Sequence, residues 1–498
     1  TSKNQSKGGQ SVFMGAVSVV KSRNNDNIIP ILKKMMEAQT HRGNENLGIA
    51  TNHGCFFTNK LEELNQIQSS NIAIAYNMSK IDPSDCPQPI IFQNRSFIIE
   101  SDYLDFQQSF DQLFEILSED TPERSLTKFL SQIDGQYEIV ILHEGKIFVA
   151  RDPIGLKPLY YGWDTDFIAL ATEKKALWNL GITKTKIFPP GHIWLLGHDR
   201  KPSCIRQIKL QKFIDADNEV IAKKLGSLLR KAVLERSLKT KTVGVSFSGG
   251  IDSSLIAHIL SQNDIDVVGL VVGDKGQPST EWAEKAAKLL GINLKIQEID
   301  RDNLENILKE SIWRIEEADP VKLSLATSFY LCAKLARNSG ITRVFTGQGA
   351  DELFGGYYRF LKILDHGDSN ALHEAIFNRV RDAHEDSFQV CEKSVAPETL
   401  RMLHPYADWE LIQYGLSIPS ELKISNPNDK VRKHILRKTA IDINLPKQLA
   451  EAPKKAIQYS TGMNRRIEIL AKSKGMKTKQ YVNQLFNDIF GNFNLEYN

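Results

Sequence analysis

Thr242-Val243-Gly244-Val245-Ser246-Phe247-Ser248-Gly249-Gly250-Ile251-Asp252-Ser253-Ser254 decides the fold of the larger part of this chain. It reads as a buried strand, a tight glycine turn, and a helix that starts at the serines. Ser246 and Ser248 place hydroxyls where the strand ends, and the Gly249-Gly250 turn lets backbone N–H groups approach a phosphate. The helix N-terminus adds about half a unit of positive charge at the same spot. Asp252 supplies a hard oxygen of the kind Mg2+ takes, and Ser253 and Ser254 follow it into the helix. No Gly-Lys-Ser/Thr follows, so this is not a Walker loop. Ser-Gly-Gly alone is a common turn. Strand, turn, acid and paired serines in this order argue for a pyrophosphate cradle with a metal ligand built in.

The surrounding pattern supports that reading. From about Asn218 the spacing predicts a helix over 219–237, then the strand 242–247, a helix near 253–262 and a strand over 266–272. A helix over 280–290, a strand over 293–299, helices near 303–315 and 323–339, and a strand over 342–346 follow. Strands alternating with helices argue for a doubly wound parallel sheet, on which ligands bind at the carboxyl ends of the strands. Ser248 and Thr346-Gly347 both fall at such ends. The region after Tyr357 reads as mainly helical and ends in a basic, polar tail.

Two further stretches carry chemistry. In Thr346-Gly347-Gln348-Gly349-Ala350-Asp351-Glu352-Leu353-Phe354-Gly355-Gly356-Tyr357 the glycines let backbone approach a nucleotide. Asp351 and Glu352 suit the first turn of a helix, but Asp351 beside Asp252 makes a second carboxylate for a pyrophosphate-bound Mg2+. Glu451-Ala452-Pro453-Lys454-Lys455-Ala456-Ile457-Gln458-Tyr459-Ser460-Thr461-Gly462 puts two lysines in a loop rather than along an exposed helix. Adjacent lysines are usually a solvated pair; here either Lys454 or Lys455 suits neutralising charge at a reacting phosphorus.

The first ~200 residues differ in texture. Short β-like runs at 13–20, 72–76, 96–99, 137–142, 146–150 and 167–171 are separated by turns such as Asp134-Gly135 and Pro190-Gly191. They predict stacked antiparallel sheets with a few helices. The polar stretch 197–214 reads as a linker, and residues 1–10 as a polar, disordered tail without the apolar core of a signal peptide. A chain of 498 residues calls for two or three domains. The expected division is 11–205 and 215–498.

Composition excludes several classes. With 63 Lys and Arg against 60 Asp and Glu, the net charge of +3 gives no electrostatic case for nucleic acid or an anionic membrane. No apolar run is long enough to span a bilayer. Five scattered cysteines with no CxxC pair suit reduced thiols in a cytoplasmic protein and not a zinc site.

Together the three C-terminal stretches resemble the synthetase domain of the asparagine synthetase family. Pro405-Tyr406-Ala407-Asp408, Ile418-Pro419, Leu422-Lys423 and Ile435-Leu436-Arg437 are similar to its later landmarks. His41-Arg42-Gly43, Gln88-Pro89, Asp134-Gly135, the run from Ala150 to Tyr161 and Pro189-Pro190-Gly191-His192 resemble its glutamine amidotransferase domain. The resemblance implies an αββα amidotransferase-like domain before a PP-loop α/β domain. It also implies that ATP adenylates a carboxylate, in that family the β-carboxylate of aspartate, and that ammonia or an amine displaces AMP to form an amide. Asp252 and Asp351 would hold Mg2+, Val271 or Val272 and Gly347 would flank the adenine, and Lys454 or Lys455 would stabilise charge at the phosphate. A homodimer and an external ammonia-supplying partner stay open.

The chain departs from the pattern in its first half. Glutamine-hydrolysing members carry an N-terminal cysteine whose thiol is the nucleophile. Met14 stands at that place, and a thioether cannot attack an amide. Thr1 lies on a polar tail 13 residues upstream, and Cys55 is internal. The arginine that grips the glutamine carboxylate aligns near Asn77, and the oxyanion-hole Asn-Gly near Glu100-Ser101. These losses predict a domain that keeps its fold without hydrolysing glutamine. Gln348 stands where many members have an acid, and its neutral amide is no base. β-Lactam synthetases also lack the cysteine, but use a tyrosine–glutamate pair as base, and position 348 is not tyrosine. The readings that follow are an ammonia-fed, asparagine-forming ligase, a ligase for another carboxylate and amine, and a nucleotide-binding paralogue without activity.

Overall fold

Alternating apolar residues build the first part of the chain into two antiparallel sheets. The computed structural model describes residues 15–81, 85–92, 95–104, 122–133, 135–197, 201–237, 240–452 and 461–493. Met14, Lys454 and Lys455 lie outside them. In chain order the first strands are β1 (Gly15–Ser22), β2 (Asn46–Thr51), β3 (Gly54–Thr58), β4 (Ile72–Met78), β5 (Ile90–Phe92) and β6 (Arg95–Leu104). Then come β7 (Gly135–His143), β8 (Lys146–Arg151), β9 (Tyr160–Trp163), β10 (Phe167–Ala171), β11 (Lys186–Ile187), β12 (His192–Leu196) and β13 (Ser203–Cys204). One sheet has the order β11-β9-β10-β1-β4-β2-β3, the other β13-β12-β8-β7-β6-β5.

The period-2 alternation sends one set of side chains between the sheets and the other toward helices. Val17, Val19, Ile74 and Tyr76 meet Ile98, Val140, Leu142 and Val149 in the middle layer. On the outer face of the first sheet, Ala73 and Ala75 pack with Leu32 and Met36 of the helix Ile29–Ala38. On the second sheet, Phe97, Ile99 and Ile139 pack with Leu126 and Leu130 of the helix Pro122–Gln132. The layers are therefore α, β, β, α. The polar stretch read as a linker is in part strand, because Ser203 and Cys204 pair with Ile193 and His192.

Helices and strands then alternate. After the helix Asn218–Ser237 come β14 (Thr242–Ser246), β15 (Asp266–Val272), β16 (Asn293–Gln297), β17 (Arg343–Phe345) and β18 (Arg401–Leu403), in the spatial order β16-β15-β14-β17-β18. All four pairings are parallel. Val243 and Val245 of β14 and Val267, Val268, Leu270 and Val271 of β15 are buried and apolar on both faces, which a sheet covered by helices on both sides requires. The chain moves outward from β14 through β15 to β16, then returns to add β17 on the other side. That reversal is where an open α/β sheet has its ligand crevice. β18 escaped the sequence reading: three residues inside a helical region carry no period of their own.

The chain falls into two compact units. One ends at Gln207 and takes back the chain from Phe490, and the other is Ile208–Ile489. Among the described residues no helix is long and apolar enough to cross a membrane.

Candidate active site

The loop after β14 is held open by its own sequence. Gly249 sits at φ +68, a left-handed conformation that other residues adopt at a cost, and a Cβ there would come within 2.9 Å of the Trp282 ring. Trp282 Nε1 donates to Gly249 O at 2.9 Å and pins the turn. Gly250 caps the helix Ile251–Ser261 without any side-chain cap. The Gly250 N–H donates to Ser248 Oγ at 3.3 Å, and the Ser248 N–H to Ser253 Oγ at 3.3 Å. The buried Ser254 hydroxyl has no hydrogen-bond partner among the described residues. Serine oxygens, turn amides and a helix N-terminus thus converge, as an anion cradle requires.

The loop after β17 lies against it. Gly347 packs so closely that a Cβ would stand 2.9 Å from that of Asp252. Tyr406 Oη donates to the Asp252 carbonyl at 3.2 Å and ties the two loops to the segment after β18. Gly349, at φ +93, turns the chain into the helix Ala350–Phe354, which carries Asp351 in its first turn. Gln348 is held sideways, its N–H on Thr346 Oγ1 at 3.1 Å and its Nε2 on Ser387 Oγ at 2.6 Å.

Between the loops stands a residue that sequence reasoning missed. Lys433 is fully buried, with Nζ 2.6 Å from Asp252 Oδ1 and 2.6 Å from Asp351 Oδ1. Its backbone is left-handed (φ 56) at the start of the helix His434–Asp442. Gly356 makes room: a Cβ there would overlap Asp351 Oδ1 and crowd Lys433 Cε. Asp429 shapes the approach by accepting the N–H groups of Val431 and Arg432, each at 2.9 Å, and by meeting His434 Nε2 at 2.6 Å. Burial works against the Asp429 carboxylate, but those bonds outweigh it and hold the group down to about 2. Nothing in the string Asp429-Lys430-Val431-Arg432-Lys433 singles out its last lysine before the fold brings it to two carboxylates 181 and 82 residues away.

The two carboxylates fit Mg2+ that arrives with a nucleotide. They converge on one cation already, and Mg2+ takes one or two carboxylates and completes its shell with phosphate oxygens and water. Among the described residues no group of three or more His, Cys, Asp or Glu gathers for a metal, so this is not an all-protein cage.

Val271 and Val272, at the end of β15, line a cavity with Ser246, Ser248, Ser328 and Thr461. The cavity holds about 20 Å³, room for a single water and not for an adenine. Ser328 Oγ and Thr461 Oγ1 close it at 3.2 Å. Entry of a base requires these side chains to part. Arg437 anchors the start of the segment that leads to Lys454 and Lys455, through Ala450 O at 2.6 Å and Ala452 O at 2.9 Å.

The first unit places its polar residues differently. Asn77 points away from the middle layer and donates to Met36 O at 3.0 Å and Gly43 O at 3.3 Å. Glu100 and Glu138 sit opposite one another on β6 and β7, fully buried, with Arg151 opposite Glu138 and Lys157 Nζ 3.9 Å from Glu100. Burial, then Glu100, raises Glu138 well above the carboxylate range. Arg42 and Lys175 close on Glu173. Burial opposes that carboxylate too, yet Lys175, Arg42 and His41 hold it well below its usual range. Burial, then Lys175, lowers His41 to about 4. Cys55 lies 3.3 Å from Ser96 Oγ, and burial pushes its thiol up, away from a reactive thiolate.

A parallel sheet whose strand ends carry a glycine-turned anion cradle and paired carboxylates defines the class, a nucleotide-dependent α/β ligase. The asparagine synthase family model matches residues 224–368 and 364–486, more than half of the sequence, and a glutamine amidotransferase domain model matches residues 88–179. The chain belongs to the asparagine synthase family, ATP-dependent and amide-forming. It is 26% identical over 506 positions to a putative glutamine-hydrolysing asparagine synthetase of Methanocaldococcus jannaschii, across 90% of this chain and 93% of that one. The glutamine-hydrolysing asparagine synthetase of Sandersonia aurantiaca is 28% identical over 357 positions, 67% of this chain and 66% of its own. The nodule glutamine-hydrolysing asparagine synthetase of Pisum sativum is 28% identical over 353 positions, 67% of this chain and 59% of its own.

Proposed function

We propose that this chain adenylates a carboxylate, aspartate in the first instance, and converts it to an amide, asparagine, with ammonia as the nitrogen source. The observation that carries the synthetase half is the convergence of Asp252 and Asp351, from two different strand ends, on the Lys433 ammonium. In the first step a carboxylate oxygen bonds to the α-phosphorus of ATP and the bond to the β,γ-pyrophosphate breaks. The cradle over 246–254 receives the leaving group through serine hydroxyls and turn amides. Asp252 and Asp351 would hold Mg2+, which when bound offsets the charge of the phosphates. Lys433 Nζ stands beside the same carboxylates, 2.6 Å from each. In the second step the ammonia nitrogen bonds to the acyl carbon, the bond to AMP breaks, and nitrogen loses a proton. Lys454 or Lys455 would neutralise charge at the phosphate in both steps.

Glutamine use is disfavoured by the residue types in the first unit. The relatives are named as glutamine-hydrolysing, but here Met14 replaces the cysteine. Asn77 spends its amide on a helix end, and the side chain of Glu100, which faces Glu138 across the strands, supplies no amide donor for a developing oxyanion. A lactam-type reading has a tyrosine–glutamate pair to test. Tyr357 Oη donates to Glu352 Oε1 at 2.8 Å, but burial, then Glu352 and Asp351, raises the Tyr357 hydroxyl well above its ordinary range. It stays protonated, so the pair is a brace rather than a base.

The test is ATP–pyrophosphate exchange with aspartate, then amide formation with ammonium and with glutamine. Exchange with aspartate and asparagine from ammonium alone is expected. Exchange only with another carboxylate would move the assignment to a different acid, and none with any acid would overturn the enzyme reading.

A further inference from the structure

The first unit carries a cavity that the synthetase reaction does not use. It opens at the end of β1 that carries Lys21, six residues along the strand from Gly15, where the glutaminase chemistry of the family would sit. Its volume is about 890 Å³, at the upper end of small-molecule sites. Both sheets contribute to it. Tyr161 and Trp163 come from β9, and Trp194 from β12. Tyr161 stacks on Trp163 at 6.1 Å with 28° between the rings and meets Trp194 edge-on at 5.2 Å. Trp163 is 45% exposed, an unusual loss of burial for an indole unless its face is kept for something else.

Charge around these rings has one sign. Among the described residues Lys21, Arg23, Lys186 and Lys201 line the cavity and no Asp or Glu does. In a chain of nearly balanced charge that is a local concentration, and none of the four has a carboxylate partner among the described residues. Lys186 Nζ lies over the Trp163 ring at 4.7 Å. Lys21 is built in rather than floating: its ammonium donates to Leu196 O at 3.1 Å and lies across Gly197, where a Cβ would overlap it.

We propose that this cavity binds a nucleoside phosphate, its base against Trp163 and Tyr161 and its phosphates among Lys21, Arg23, Lys186 and Lys201. A flat ring on the exposed indole face, beside the half-buried Tyr161 ring, gains stacking energy, and several cations without a counter-acid match a multiply charged phosphate better than a single carboxylate. The cavity is also larger than a lone aromatic acid would fill.

Calorimetric titration of the full chain with AMP, GMP, adenosine and inorganic phosphate tests this, on the wild type and on Trp163→Ala/Lys201→Glu. Both substituted side chains are exposed, so the fold should survive. The double variant is expected to bind one nucleotide fewer per chain, or to bind it at least about tenfold more weakly, the size of one lost stacking contact. Ammonium-dependent amide synthesis should be unchanged. Arg23→Glu/Lys186→Glu, which keeps all three aromatic rings, should lose the same site and serves if the first variant melts early. An unchanged number of AMP and GMP sites in both variants would overturn the proposal. Adenosine or phosphate alone binding as tightly as the nucleotide would overturn it equally, because ring and charge would then not act together.

Discussion

The chain buries opposite charges in two places and uses them in opposite ways. In the first unit Glu173 is enclosed by Arg42, Lys175 and His41, and Glu100 and Glu138 by Lys157 and Arg151, all inside or beside a layer of packed strands. In the second, Asp252, Asp351 and Lys433 meet where two parallel strands end in glycine loops. In the first arrangement Glu100, Glu138 and Arg151 lie on paired strands, whose backbone groups are committed to the ladder, and Glu173, at the N-cap of the helix Lys174–Trp178, has its N–H taken by Gln39 Oε1 at 3.0 Å. The second lies at strand ends, where turn amides and a helix N-terminus remain free to meet a ligand. Similar residue types give a brace in one place and a site in the other, and the backbone around them makes the difference.

The largest expected effect falls on the second cluster. Asp351→Asn, or Asp252→Asn, should lower aspartate-dependent ATP–pyrophosphate exchange by about 10²–10³ or more, the scale of one lost electrostatic contact in a transition state. Wild-type exchange in either variant would break the assignment of these carboxylates. Lys433→Met leaves the buried Asp252 and the partly buried Asp351 facing each other and should cost about 3–5 kcal/mol of stability, read from denaturant midpoints.

The first unit offers a matched pair. Glu173→Gln strands Arg42 and Lys175 and should also cost about 3–5 kcal/mol. Glu138 is held protonated by burial, so Glu138→Gln should change stability by no more than about 1 kcal/mol. Equal losses would show that the two buried acids are not in different charge states.

Lys423 sharpens the comparison through pH. It is buried, its amine has no hydrogen-bond partner among the described residues, and burial lowers it to about 7. Between pH 7 and the ordinary lysine value the unfolded chain binds a proton that the folded chain releases, so this residue makes stability rise with pH across that window. Lys423→Met should raise the denaturant midpoint most near pH 7, by a gain of about a few kcal/mol, and progressively less toward pH 10. A gain independent of pH would remove the linkage. The smallest effect is expected from Met14→Cys: on the proposed reading glutamine-dependent amide formation should stay at background, because the thiol leaves Asn77 and Glu100-Ser101 unchanged. Substantial glutamine use would show that the loss is a single substitution deep.

Much of the site was legible because its parts are local. A strand of β-branched residues, a glycine turn and an acid at the helix start are contiguous, and their order alone implies an anion cradle. Gln348, Asp351 and the glycines around them are legible for the same reason. Lys433 was not, since a lysine in a charged string looks like surface until tertiary packing buries it. β18 was not, since three residues hold no periodicity, and its place follows from pairing with Arg343–Phe345.

By itself, then, the sequence determined the alternation of strands and helices, the two textures of the chain, and the contiguous strand, glycine turn and acid over 242–254 on which the proposed phosphate-binding loop rests. These depend on neighbours within a few residues, where propensity and periodicity act. The tertiary structure alone decided which cation stands between Asp252 and Asp351, which buried acids carry charge, and that Asn77 turns to a helix end. It also decided that three aromatic rings and four cations without a carboxylate partner among the described residues share one cavity. Those outcomes join residues tens to hundreds of positions apart, and only the closed sheets bring them within a few ångströms of one another.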